Sequence, residues 1–336
     1  MRDLVELREF CERHRHDSSL VMCTLVRKSG SSYRGVGAKK LVASNGKSCG
    51  LLSGGCLEGS IEKSARERRS EMPFIESFST LSDEDRLMGY QVGCQGVIDI
   101  LFEQVPVTPN KLPDKLPDTR TATNWEMTLN LLLPFGSPAP ASGVRVGLKG
   151  ENCGRREFTS DSSPKKDEDF LIEPWVEPIQ LLIIGCGADA DVYPTLARSL
   201  GWKIKLIDYR SDLVSPERFP NEDIEHIPLN KMASHVPQGE RVAVVLMTHN
   251  YEADLEIMRG LKDHRIGYLG ALGPASRYEK IKQDLFSFDQ AKLSPTIESV
   301  VSAPAGLFSH SRSPSEIALS IIAQIQERLV ESPLRS

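Results

Sequence analysis

Residues 179–191 read Ile-Gln-Leu-Leu-Ile-Ile-Gly-Cys-Gly-Ala-Asp-Ala-Asp, IQLLIIGCGADAD. The run from Ile179 to Ile184 is almost continuously apolar, as a parallel strand buried on both faces must be. It leads into Gly185-Cys186-Gly187-Ala188-Asp189-Ala190, a G-x-G-x-x-A sequence between a strand and an expected helix. Glycine at Gly185 and Gly187 permits a tight turn and a close backbone approach to phosphate, and the helix N-terminus offers free N–H groups to it. Asp208 ends the next strand, where a ribose-binding carboxylate belongs. Gly185, Gly187 and Asp208 are therefore candidate residues for a nucleotide cofactor such as NAD(P) in a Rossmann-like fold. Two features oppose an occupied site. Asp189 and Asp191 would lie close to the phosphate and repel it, and Pro194 falls early in the first helix, where it is awkward beyond the first turn. The alternative is that the glycines serve only the chain turn.

Downstream, Lys203 to Ile207, Val242 to Met247, Ile266 to Leu269 and Ser299 to Ser302 read as further strands alternating with helices. Residues 314–330 carry the clearest helix pattern. Ser313 suits the N-cap, Pro314 the first helical position and Glu316 the third, which together form a capping box. Ile317, Ile321, Ile325 and Leu329 recur every fourth residue as a buried stripe. His249 is the nearest acid–base candidate, at a strand end where α/β folds bind ligands. Its plainer reading is a loop hydrogen bond.

Upstream the texture changes. Residues 1–16 read as an amphipathic helix with Leu4, Leu7 and Phe10 on one side, and residues 20–27 as a buried strand. Lys40 to Ala43 and Gly50 to Leu52 fit strands joined at Asn45-Gly46, a strong hairpin signal. Residues 57–69 look helical, and residues 96–105 look like a strand. Between residues 105 and 178 fall ten of the 21 prolines. Met127 to Leu133 and Val144 to Leu148 are strand candidates there, and the polar, charged stretch from Asp161 to Asp169 has the composition of an exposed loop. The expected organisation is an N-terminal α+β domain over 1–150, a linker over 151–178 and a Rossmann-like parallel-sheet domain over 179–332.

Two segments of the first domain place a cysteine in a glycine loop: Ser53-Gly54-Gly55-Cys56-Leu57-Glu58 and Val92-Gly93-Cys94-Gln95-Gly96. Cys56 stands at an expected helix start, where the partial positive charge favours thiolate, the nucleophilic and metal-binding form. Glycine neighbours leave such a thiol open to a bulky ligand. The alternative is that each cysteine is a small buried apolar residue. Lys28 to Lys40 mixes hydroxyl, glycine and basic residues, which suits an anion such as phosphate or simply a solvated loop.

Composition narrows the classes. The net charge of −5 lacks the basic footprint of a nucleic-acid-binding protein. No apolar run approaches the roughly 18 residues of a membrane span. The N-terminus lacks the apolar core of a signal peptide. Seven cysteines without a C-x-x-C pair argue against a disulfide framework and for a reducing cytoplasm.

The motifs GSSYRGVGAK (30–39), SGGCLE (53–58) and VGCQG (92–96) resemble the N-terminal domain of the XdhC/CoxI family. LLIIGCGADADVYP (181–194), DYR (208–210), MTHNYEADL (247–255), YLGALGP (268–274), APAGL (303–307) and SPSEIALSIIAQI (313–325) resemble its C-terminal Rossmann-like domain. The resemblance implies an accessory role rather than an enzyme. Such a factor would bind molybdenum cofactor (molybdopterin), keep it during sulfuration and deliver it to an apo molybdenum hydroxylase such as xanthine dehydrogenase. A cysteine desulfurase would supply the sulfur, and a homo-oligomer is expected. Carried onto this sequence, Cys56 and Cys94 become candidates for contacting the metal or the sulfur in transit. Gly54 and Gly55 would admit the pterin, and Arg34 and Lys39 would face the cofactor phosphate. The competing readings are an NAD(P)-dependent oxidoreductase built on Gly185, Gly187 and Asp208, and a scaffold whose Rossmann domain docks partners.

Overall fold

The computed structural model describes residues 2–14, 16–17, 19–30, 33–67, 73–79, 96–105, 143–159, 169–174, 177–289, 292–308 and 310–330. Cys94 with its loop and the strand expected over Met127 to Leu133 lie outside the described residues. The chain divides into two compact units, Asp3–Val176 and Glu177–Ser332.

The first unit is α+β. Helix α1 (Arg2–Arg13) precedes strands β1 (Val21–Gly30), β2 (Lys39–Val42) and β3 (Ser48–Gly50). Helix α2 (Glu58–Glu67) and strands β4 (Phe74–Ser79) and β5 (Gly96–Gln104) follow. The strands form one antiparallel sheet in the order β3-β2-β1-β5-β4. The hairpin between β2 and β3 turns through Gly46 at φ 82°, as Asn45-Gly46 suggested. Alternation along β1 divides the core. Val21, Cys23 and Leu25 pack with Ile61 and Ala65 of α2, whereas Leu20 and Met22 pack with Leu7, Phe10 and Cys11 of α1.

Strands β6 (Gly143–Gly147), β7 (Arg156–Thr159) and β8 (Phe170–Pro174) make a second antiparallel sheet in the order β7-β6-β8. The segment 151–178, expected to be a linker, thus carries two of these three strands. Val144, Val146, Leu148 and Leu171 pack against Val26 and Leu101 of the first sheet. Two buried ion pairs join the sheets. Lys39 on β2 pairs with Glu173 on β8, and Arg156 on β7 holds Glu103 on β5 through both guanidinium ends, one at 2.7 Å.

The second unit is a parallel sheet flanked by helices. Its strands are β9 (Gln180–Ile184), β10 (Lys203–Asp208), β11 (Asp223–His226), β12 (Gly239–Leu246), β13 (Ile266–Ala271) and β14 (Val301–Ser302). The order β11-β10-β9-β12-β13-β14 is that of a doubly wound nucleotide-binding fold. Helix α3 (Tyr193–Ser199) follows β9, α4 (Tyr251–Leu261) follows β12, and α5 (Ala275–Asp289) and α6 (Pro295–Val300) follow β13. Helix α7 (Pro314–Leu329) closes the fold. Its capping box is formed: Ser313 Oγ accepts from the Glu316 N–H at 3.2 Å, and the Glu316 carboxylate accepts from the Ser313 N–H at 3.1 Å. Ile321 and Ile325 are fully buried with Leu181, Ile183 and Val245 on one face of the sheet. The opposite face, Leu182, Ile184, Val244 and Leu246, packs with α4, α5 and α6. Among the described residues no helix is long and apolar enough to cross a membrane.

Candidate functional site

The Ser53–Glu58 loop is held from below by a buried charge network. Lys39 and Lys40 begin β2 and point to opposite faces by strand alternation. Lys40 therefore meets α2, where its Nζ lies 2.8 Å from both Glu58 Oε2 and Glu62 Oε1, with a side chain only 4% exposed. The other Glu58 oxygen accepts from the backbone N–H of Leu52 at 2.9 Å, the N–H of Ser53 at 2.7 Å and Ser53 Oγ at 3.0 Å. Ser53 Oγ in turn accepts from the N–H groups of Gly55 and Leu57. Burial opposes the charge of Lys40, but the two carboxylates outweigh it and hold its pKa above the usual value. Burial likewise opposes the Glu58 charge, and Lys40 with the Ser53 and Leu52 N–H groups holds its carboxyl below the usual range.

On this base Cys56 is exposed, two residues ahead of α2. Gly55 has φ 113°, and a Cβ built there would meet nothing within 4 Å. Open space thus lies beside the thiol, as a bulky ligand requires. A Cβ on Gly54 would lie 3.6 Å from Tyr33 Cβ, so the loop carrying Tyr33 and Arg34 borders the loop carrying Cys56. Five other described cysteines are buried or half-buried. Burial pushes the thiol of Cys11 up to about 11 and that of Cys186 up to about 12, and it also raises those of Cys23, Cys49 and Cys153. Among the described residues no group of three or more His, Cys, Asp or Glu gathers to hold a metal ion.

Lys39 is where the structure departs from its assigned role. Its side chain is 4% exposed and paired with Glu173. It holds two sheets together and does not face a cofactor phosphate. Arg34 is half-buried beside the Cys56 loop. Sequence reasoning missed Lys40, Glu58 and Glu62. The signal available was a pair of lysines opening an otherwise apolar strand.

In the second unit Gly185, Gly187 and Asp208 come together around the turn after β9. Asp208 is fully buried and engaged: Oδ2 accepts from the Cys186 N–H at 2.6 Å and Arg210 Nη2 at 2.8 Å, and Oδ1 accepts from Arg210 Nε at 3.0 Å. Gly185 has φ 111°, and a Cβ there would lie 2.4 Å from the Met247 carbonyl oxygen. Its glycine is explained by packing of the turn against the neighbouring strand end. Arg218 donates to the carbonyls of Cys186 and Gly187 and pairs with Asp191. The chain resolves the difficulty of Pro194 by running through a 3₁₀ turn over Ala188–Val192, so that Pro194 falls in the first turn of α3. An NAD(P) site is not supported by this arrangement.

Residues 181–325 match the family described as XdhC Rossmann domain, and residues 14–78 match the family described as XdhC and CoxI family. The chain is 26% identical over 321 residues to a probable xanthine dehydrogenase subunit of Bacillus subtilis (strain 168), covering 91% of this chain and 92% of that protein. It is 23% identical over 315 residues to the molybdenum cofactor insertion chaperone PaoD of Escherichia coli (strain K12), covering 91% and 82%. A crystal structure of a xanthine dehydrogenase from Bacillus halodurans superposes with a TM-score of 0.73 at 25% identity, covering 96% of this chain and 95% of that one.

Proposed function

The chain belongs to the XdhC and CoxI family, and on that premise we propose that it handles molybdenum cofactor for another enzyme. The cofactor is cargo. The first unit binds it, keeps it while the metal centre is sulfurated and passes it to an apo molybdenum hydroxylase of the xanthine dehydrogenase type. A cysteine desulfurase supplies the sulfur. The names of two relatives, a molybdenum cofactor insertion chaperone and a probable xanthine dehydrogenase subunit, support this reading.

The observation that carries it is the exposed Cys56 thiol beside the open space over Gly55. A thiolate is a soft donor suited to a metal–sulfur centre. Gly54 and Gly55 keep side chains out of the way of a fused ring system, and Arg34, on the loop that borders them, would meet the cofactor phosphate. Cys94, in the second Gly-Cys loop, would be a further sulfur donor. The carrier must release its cargo, which favours few protein donors over a closed cage.

Replacing Cys56 tests the assignment. Cys56 is exposed, so Cys56→Ala is expected to leave thermal stability unchanged. Activity of a hydroxylase matured by the full chain and a desulfurase should fall by roughly ten- to a hundredfold, the scale on which metal-site contacts act. Full maturation by the variant would remove Cys56 from the mechanism.

A further inference from the structure

Where the loops after β9 and β12 part, the side chains bond to one another. His249 Nε2 meets Asp189 Oδ2 at 2.9 Å, and Arg218 donates to the carbonyls of Cys186 and Gly187. A hollow lies further along the sheet, where the chain leaves β13 and β14. It encloses about 320 Å³, with Leu272, Pro304, Ala305, Leu307, Phe308 and Ile317 in its walls. Leu272 comes from the motif at 268–274, Pro304, Ala305 and Leu307 from that at 303–307, and Ile317 from that at 313–325. Three of the motifs that carry the family resemblance therefore meet in one apolar cavity, which a nucleotide-binding turn does not account for.

The loop over 303–308 is fixed to β13 and α7 along its length. The Ala305 N–H donates to the Ala271 carbonyl at 3.1 Å, and the Leu307 N–H to the Ser320 carbonyl at 3.3 Å. The Gly306 N–H donates to Gln324 Oε1 at 2.9 Å, and Gln324 Nε2 donates back to the Gly306 carbonyl at 3.1 Å. The Phe308 N–H donates to Ser320 Oγ at 2.7 Å. Gly306 has φ 106°, and a Cβ there would lie 2.5 Å from Ser320 Oγ, so the loop is drawn tight against α7. On this fixed backbone Leu307 is 44% exposed and Phe308 56%. Burial within the chain does not account for them. Large apolar side chains displayed on a rigid loop beside a cavity suit an interface, because little freedom is lost when they are covered.

We infer that this cavity docks a protein partner that inserts a bulky apolar side chain flanked by a carboxylate, and that the partner is the apo form of the molybdenum hydroxylase. The carboxylate follows from the rim. Ser311 also lines the cavity, and the next residue, Arg312, is exposed with no carboxylate partner among the described residues. The nearby Glu316 carboxylate is turned to the N–H groups of Arg312 and Ser313 at the start of α7. A second copy of this chain would present the same cation in place of the complementary carboxylate. The choice of the hydroxylase rests on the cofactor-handling reading. Cofactor sites are lined mainly by apolar groups, so a hydroxylase lacking its cofactor exposes apolar surface that the filled enzyme covers. An apolar dock holds the apo enzyme and lets it go once the cargo is in place.

The test immobilises the hydroxylase in its apo and cofactor-filled forms, with a cysteine desulfurase as a third surface, and follows binding of the full chain by interferometry. The wild-type chain should bind the apo enzyme more tightly than the filled one. Phe308→Asp places a charge at the cavity and should weaken apo binding roughly thirtyfold, the scale of an interface hot spot, without changing desulfurase binding. Phe308→Ala should weaken it in the same direction without adding a charge. Arg312→Glu should slow association at low salt. Phe286→Asp, at a phenylalanine 53% exposed on α5, should change nothing. Circular dichroism and the molybdenum and pterin content of each variant should match the wild type. Undiminished apo binding in both Phe308 variants, an equal loss in Phe286→Asp or on the desulfurase surface, unchanged association in Arg312→Glu, or a wild-type chain that does not distinguish apo from filled enzyme would each overturn the proposal. So would a wild-type dimer that Phe308→Asp splits in sedimentation equilibrium. Failure of the cofactor-handling reading shows instead as wild-type protein without molybdenum or pterin, so the two fail separately.

Discussion

Lys40→Met is expected to be among the most damaging single changes in the first unit. The substitution keeps the length of the side chain but leaves Glu58 and Glu62 facing each other without the ammonium that sits 2.8 Å from each. Removing one partner from a buried ion pair costs about 3–5 kcal/mol, because the remaining charges stay desolvated. For a unit of this size that corresponds to a fall in Tm of roughly 6–20 °C. Glu58 also carries the hydrogen bonds that fix Leu52 and Ser53, so the Cys56 loop should lose order and cargo retention should fall with stability. The pH dependence has a definite sign. The Glu58 and Glu62 carboxyls are held below their usual range. Their contribution is therefore present above the unfolded value of about 4.3 and is lost as pH falls through the lower folded values. Thermal melts should show a loss of stability on acidification below about pH 4 that is shallower in Lys40→Met. A variant as stable as the wild type would show that the network is not what supports the loop.

Gly185→Ala should be the corresponding lesion in the second unit. The new Cβ would lie 2.4 Å from the Met247 carbonyl oxygen and 2.7 Å from the Thr248 nitrogen. Both are backbone atoms at the end of a central strand, so the strand end itself must move. Backbone strain at positive φ and overpacking each cost about 1–3 kcal/mol, so about 2–6 kcal/mol in all is expected. Gly55→Ala is the internal control. Its φ of 113° is similar, but its Cβ meets nothing within 4 Å, so only the strain of about 1–3 kcal/mol applies. Melts of both variants check this, and equal losses would show that packing against Met247 is not the reason for Gly185.

The central sheet of the second unit was legible because Ile179 to Ile184 is apolar on both faces and its glycine turn follows at once. The cap of α7 was legible because Ser313, Pro314 and Glu316 act locally. Strand β11 was not, since Asp223–His226 is a polar edge strand whose pairing with β10 supplies what its sequence lacks. Strands β7 and β8 were hidden for a related reason. Both are short and lie in a proline-rich, charged stretch, and it is β6 between them that makes them strands. At the candidate site, glycine neighbours correctly marked Cys56 as an open thiol. Lys39 was misassigned because composition does not say which face of β2 a lysine takes. Gly185, Gly187 and Asp208 were read as cofactor residues, whereas Asp208 bonds the glycine turn itself through the Cys186 N–H. Of their partners, Arg210 follows Asp208 by two residues, whereas Arg218 and His249 come from distant parts of the chain.

The most direct test of the cofactor-handling account is metal and pterin analysis of the full chain purified alongside a cysteine desulfurase. The account predicts molybdenum and pterin in comparable molar amounts in the wild-type protein, and loss of the molybdenum in Cys56→Ala. Wild-type protein carrying neither molybdenum nor pterin would contradict it.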